Sequence, residues 1–369
     1  MTPAATELAT ATNEHLAHTS NILIYSSMAV YMLAFLAYIA EWLFGSRSKV
    51  ARTAAALTAA AGSAQPAKAQ QPAVTVQSAG GTAVLERPEV VVRSAAGARD
   101  VPDGPGAHGG DEQGDLYGRI AISLTVLAFL VELAGVVARA ASVERAPWGN
   151  MYEFNITFST VAVGVYLGLL ALKKNVRWIG LFLTTTVLLD LGLAVTVLYT
   201  ASDQLVPALH SYWLYIHVST AIFCGAALYV GAVATLAYLF KDSYENKLAG
   251  GGTPGTFATS VLERLPSSAT LDKFAYRINA GVFPLWTFTI IAGSIWAESA
   301  WGRYWGWDPK ETWAFITWVG YACYLHARST AGWKGRKAAY IALIAFACYL
   351  FNYYGVNIFV SGKHSYAGV

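Results

Sequence analysis

The sequence predicts an all-α polytopic membrane bundle of about eight transmembrane helices, with both termini extracytoplasmic. Three observations predict it. Of the 369 residues, 55% are hydrophobic and only 13% charged, about half the charged share of a soluble domain. Eight apolar runs approach the roughly 20 residues that a helical span requires. Finally, 20 of the 25 Lys and Arg residues fall in 46–119, 173–177, 241–277 and 328–337. Basic loops stay on the cytoplasmic side. Both termini and the segments 141–153, 201–211, 301–312 and 362–369 are therefore placed outside. Setting the long segment 46–119 aside leaves the bias with the same sign.

The elements follow in order. Residues 1–45 are an external tail and a first span over 22–44. That span lacks a basic leader, so it is not read as a cleavable signal peptide. Residues 46–117 are rich in Ala, Gly, Ser, Pro and Gln without a period. Such a stretch cannot bury enough apolar surface to offset chain entropy, and it is read as a disordered cytoplasmic linker. A seven-helix unit, 118–369, holds spans at 118–140, 154–172, 178–200, 212–240, 281–300, 313–328 and 338–361. The cytoplasmic loop 241–280 contains GGGTPGT and is expected to be partly flexible. No internal repeat is evident. Glu132 and Asp190 fall near mid-membrane, where an unpaired carboxylate is costly. They are expected to bond across helices or stay protonated, as supporting groups and not ligands.

Some classes are excluded. A net charge of +3 is too small to argue for nucleic acid; the surrounding partner is membrane lipid. Cys224, Cys323 and Cys348 lie inside apolar runs and form no C-x-x-C, so no disulfide scaffold or thiol redox centre is indicated. With no C-x-x-C-H, the chain is not itself a c-type cytochrome.

The chemistry concentrates in WAESAWGRYWGWDPKETWAFITW, residues 296–318, which holds six of the twelve Trp. An interfacial aromatic belt is the ordinary explanation. A belt, however, spreads its indoles over many helix ends, whereas Trp301, Trp305, Trp307 and Trp313 crowd around one Gly-punctuated turn, the external loop 296–313. Clustered indoles offer edge and face contacts to a large planar ligand. Asp308-Pro309-Lys310-Glu311 reads as a helix start, with Asp308 as N-cap, Pro309 first in the helix and Glu311 three residues after the cap.

Histidines flank this loop. His217 lies about 8 Å into the fifth span and His364 follows the eighth, both on the outer side. Two imidazoles beside an aromatic platform suit the axial positions of haem iron; each alone is also an ordinary hydrogen-bonded interfacial residue. His326 lies about 20 Å down the seventh span toward the cytoplasm, two residues before Arg328. It is either a pathway residue or a boundary histidine beside a basic loop. His210, after Pro207, reads as a surface residue. His15, His18 and His108 read as solvent-facing.

WGRYWGWDPKETW resembles the tryptophan-rich (WWD) signature of haem-handling proteins in cytochrome c assembly, specifically the CcsA/ResC family (CcsB in some actinobacteria) of the System II haem lyase. PWGNMYEF (147–154), PALHSYWLYIHVS (207–219), YLHARST (324–330) and GVNIFVSGKHSYAG (355–368) are similar to family segments. The resemblance covers about 118–369. It implies that His217 and His364 ligate haem externally, that His326 holds haem transiently within the membrane, and that Trp301, Trp305, Trp307 and Asp308 cradle the porphyrin. It further implies haem b as bound substrate, a ResB/Ccs1-type membrane partner, apocytochrome c as client, and a plasma-membrane location. The function implied is presentation of haem at the outer face and its thioether attachment to C-x-x-C-H motifs. No catalytic nucleophile or base is assigned, so catalysis would rest on positioning and on control of iron redox state. Three other readings stay open: a haem exporter or chaperone without lyase activity, a secondary transporter, and a membrane cytochrome b. The transporter lacks paired helix interruptions in two halves. The cytochrome lacks stacked histidine pairs.

Overall fold

The computed structural model describes residues 12–44, 116–205, 211–330 and 332–364. The expected linker falls almost wholly outside these, as do His108 and His210. Among the described residues the protein is helical without strands. In chain order the helices are α1 Glu14–Phe44, α2 Leu116–Val143, α3 Met151–Ala171, α4 Ile179–Thr196, α5 Tyr212–Ala249, α6 Thr256–Leu262, α7 Ser268–Trp301, α8 Pro309–Ser329 and α9 Arg336–Leu350. α9 continues through a π turn, Phe351–Gly355, to Phe359.

A helix stands at each of the eight predicted spans. Seven are long and apolar enough to cross a membrane, which makes this a multi-pass membrane protein. α8 is not among the seven. Its 21 residues mix Trp and Tyr with Thr, Lys, Glu, His and Arg, and it packs against α9 and α7.

Among the described residues the bundle has two large apolar cores and a small third one around Met151 and Leu198. Tyr31, Ile156, Tyr166, Trp178 and Leu183 join α1 to α4 with the middle of α5. Leu228, Trp286, Tyr321, Tyr324 and Tyr349 join α5, α7, α8 and α9. The two mid-helix carboxylates are paired across helices. Tyr31 donates to Glu132 at 2.7 Å. Asp190 accepts from Ser159 and Tyr354, both at 2.6 Å. These pairings match the expectation that neither carboxylate stands alone at membrane depth.

The stretch 241–280, expected to be a partly flexible loop, differs from expectation: most of it is helix. α5 runs 38 residues, about 57 Å, well past the hydrocarbon core. Its extension is tied down. Lys241 donates to the Leu262 carbonyl at 2.7 Å, and Tyr244 to Glu263 at 3.2 Å. Ser267 then caps α7 by accepting from the Thr270 amide. The apolar pattern of α5 gives out at Lys241, and the helix continues to Ala249. Nearby, Arg328 forms two bonds to Asp272, at 2.5 and 2.9 Å, joining α8 to α7.

Candidate functional site

An open cleft of about 1340 Å³, counting its mouth, lies among α3, α5, α7, α8 and α9. His217 and His364 both line it. Each is oriented by a different device.

His217 sits in the second turn of α5, whose start is fixed by Ser211 accepting from the Trp213 amide. Its Nδ1 lies 2.9 Å from the Thr289 carbonyl of α7. A carbonyl only accepts, so Nδ1 carries the proton and Nε2 keeps its lone pair. Trp296 lies alongside, ring centroids 5.8 Å apart.

His364 is held by Asp308. Asp308 caps α8 as read from the sequence, and the capping box with Glu311 is complete. The same carboxylate lies 2.8 Å from His364 Nδ1 and accepts from the Lys363 amide at 2.8 Å. The hydrogen bond from His364 holds the Asp308 carboxyl down at about 2, below the usual carboxylate range, with burial opposing. A carboxylate oxygen accepts, so Nδ1 is the donor here too. Trp301 packs edge-on against the His364 ring at 4.8 Å, and the Arg303 and Lys363 cations both lie within 6 Å of the Trp301 ring. An aromatic ring draws such cations to its face.

The loop between α7 and α8 is built to hold this geometry. Gly302, at φ 68°, ends α7 in the left-handed conformation. Glu311 then gathers the loop: it accepts from the Gly306 amide at 2.8 Å, the Asp308 amide at 3.1 Å and the Arg303 guanidinium at 3.0 Å.

Residues 148–364 match the cytochrome c assembly protein family. The chain belongs to that family. The matched stretch opens on Trp148 and closes on His364, so it brackets the cleft. Among similar proteins is the cytochrome c biogenesis protein CcsA of Gloeobacter violaceus, 33% identical over 296 residues, covering 68% of this chain and 87% of that one. The CcsA proteins of Microcystis aeruginosa and Synechococcus elongatus are 38% and 37% identical, each over 60% of this chain and 79% and 78% of theirs. Membership in the family carries a role in cytochrome c biogenesis and so an involvement with haem.

Within this family member, the predicted site residues separate into four places. His217, His364, Trp301 and Trp305 line the cleft. Asp308 stands behind His364. Trp307 does not line the cleft: its side chain is 65% exposed, with φ 57°, and packs edge-on against Trp305 and Phe315. His326 lies exposed near the far end of α8, apart from the cleft. His15 and His18 are exposed, as expected. Sequence reasoning passed over other cleft residues: Trp148, Trp296, Gly293 and Lys310. Lys310 donates to the Asn352 carbonyl at 2.9 Å, where the π turn widens α9. The indole nitrogens of Trp148, Trp286 and Trp296 and the side-chain oxygen of Asn352 are buried in the cleft wall without a partner. Buried polar atoms are seldom left so.

Trp148 had a signal. It lies in R-A-P-W-G-N-M-Y-E, and the second loop reads R-Y-W-G-W-D-P-K-E. Arg and Glu are eight apart in both, with Trp-Gly and a capping Asn or Asp between them.

Proposed function

We propose that the cleft holds haem b at the extracytoplasmic face of the plasma membrane, with His217 and His364 as its two axial ligands. One observation carries this reading: two imidazoles line a single aromatic cleft, each with Nδ1 engaged by an acceptor. Outer acceptors of this kind fix tautomer and ring orientation in metal-bound histidines. Among the described residues no group of three or more His, Cys, Asp or Glu is placed to hold a bare metal ion. Two imidazoles suit an iron that arrives with four donors of its own. Trp301 and Trp305 flank the macrocycle, the partnerless indole N–H groups meet its polar edge, and Trp307 forms the outer rim. His326, exposed on α8, is the transient ligand on the way outward.

Haem here is cargo. With a ResB/Ccs1-type partner, the protein presents its vinyl groups to the C-x-x-C-H segment of an apocytochrome c. Each thioether forms by addition of a cysteine S–H across a vinyl double bond, with no leaving group and no net redox change. Holding both reactants in register is the catalytic contribution.

The test is the haem absorption spectrum of the complex purified with its partner. His217→Ala and His364→Ala should each lose the six-coordinate low-spin signature, and added imidazole should restore it. Unchanged spectra in both variants would remove the ligand pair. Maturation of a reporter cytochrome by this chain and its partner alone separates attachment from haem export without lyase activity.

A further inference from the structure

α7 meets His217 with a residue that has no side chain. The Thr289 carbonyl that takes His217 Nδ1 lies one turn before Gly293. A Cβ built on Gly293 would stand 2.7 Å from Cε1 and 2.9 Å from Nδ1 of the imidazole. Neither distance is tolerable, so the ring or the helix must move. The ring has little freedom: Thr289 fixes one edge, and Trp296, one turn beyond Gly293, lies alongside it. Substitution at Gly293 therefore trades directly against the Nδ1 hydrogen bond.

We propose that Gly293 is the positioning residue for His217. Its bare backbone lets the imidazole approach α7 closely enough to donate to the Thr289 carbonyl, which sets the tautomer and leaves Nε2 as the coordinating nitrogen. This rests on the reading of the cleft as a haem site and adds a residue that itself needs no contact with haem. The same helix supplies a comparison. A Cβ on Gly281 would meet nothing within 4 Å, so both glycines carry the same helix-propensity change on substitution and only one faces a ligand.

The experiment uses the full chain purified with its membrane partner, haem loading being read by absorption and by retention on dilution. Gly293→Ala should weaken haem retention about 10- to 100-fold, the scale of losing an outer partner of a metal-bound histidine. It should also lose the six-coordinate low-spin signature, and added imidazole should restore that signature. Gly281→Ala should match the parent protein. In a His217→Gly background, Gly293→Ala should add no further loss, because the two changes act through one ring. A parent-like spectrum and retention in Gly293→Ala would overturn the proposal. So would a loss that imidazole fails to restore, or one that persists undiminished in the His217→Gly background. A parent complex without a bis-histidine spectrum is a different failure: it would overturn the haem reading itself.

Discussion

Two loops frame the cleft on one plan and put it to different uses. Arg145 and Glu153 are eight residues apart, as are Arg303 and Glu311. Each Glu is third in its helix and accepts from a loop glycine amide, Gly149 at 2.9 Å and Gly306 at 2.8 Å, and from its own Arg. Each loop sets a Trp in the cleft wall. The first loop is buried deeper. Glu153 is fully buried and takes a second guanidinium, Arg139, at 3.0 Å. The two arginines continue to the carbonyls of Thr200 and Asp203. The second loop is partly open: the Arg303 side chain is 26% exposed. The caps differ too. Asn150 bonds to the Glu153 amide, whereas Asp308 reaches across to His364. One helix-start device serves as an anchor in the first case and as the support of a histidine in the second. The change from amide to carboxylate adds charge and a second acceptor oxygen, used for Lys363 and His364 together.

The largest expected effect tests the difference in burial. Glu153→Ala leaves two guanidinium groups without their shared carboxylate, Arg139 among them with no exposure. Stranding a buried charge typically costs about 3–5 kcal/mol. The variant should lose most folded protein from the membrane, or melt far below the parent by thermal unfolding in detergent. Glu311→Ala strands a partly solvated Arg303 and two loop amides, and should cost about 1–2 kcal/mol. Equal losses in the two variants would show that burial is not what separates the loops.

A smaller effect isolates the caps. Asp308→Asn gives the second loop the cap of the first. Asn caps a helix about as well as Asp, so the melting temperature should hardly move. Haem retention should fall about 10- to 100-fold, because the acceptor behind His364 loses its charge. Asn150→Asp, the reverse exchange, should leave haem retention unchanged. If Asp308→Asn destabilises the fold and spares haem retention, Asp308 acts only as a cap.

What the sequence reveals here depends on whether a role is local. Asp308, Pro309 and Glu311 announce the start of α8 because a cap, a first-turn proline and an N3 carboxylate interact within four residues. His217 and His364 are legible as a pair because alternating basic loops assign both to the same end of the bundle, and both line one cleft. The helical ends of α5 and α7 are not legible: Lys241 and Glu245 interrupt the apolar pattern while the helix continues. Gly293 carries no local signal, since its importance is the approach of a ring 76 residues earlier in sequence. Trp307 looks equivalent to Trp305 as text. The sign of its φ angle and its outward packing come from how the loop closes around Glu311. The kinship of the two loops was readable as an eight-residue Arg-to-Glu spacing, but nine residues are too few to stand out without the shared geometry.

The smallest effect concerns the indoles. If the two loops cooperate on one ligand, Trp148 belongs to the site as much as Trp305 does, although only the second lies in the tryptophan-rich stretch. Trp148 lines the cleft, packs edge-on with Tyr215 at 6.3 Å, and keeps a buried, partnerless Nε1. Trp307 has an exposed ring outside the cleft. Trp148→Phe should weaken haem retention by up to about tenfold, the scale of one aromatic contact of 0.5–1.5 kcal/mol. Trp307→Phe should change it less. Retention in the two variants, measured at equal folded yield, decides the matter. A greater loss in Trp307→Phe would place the ligand on the outer rim, and the first loop would then serve only as an anchor.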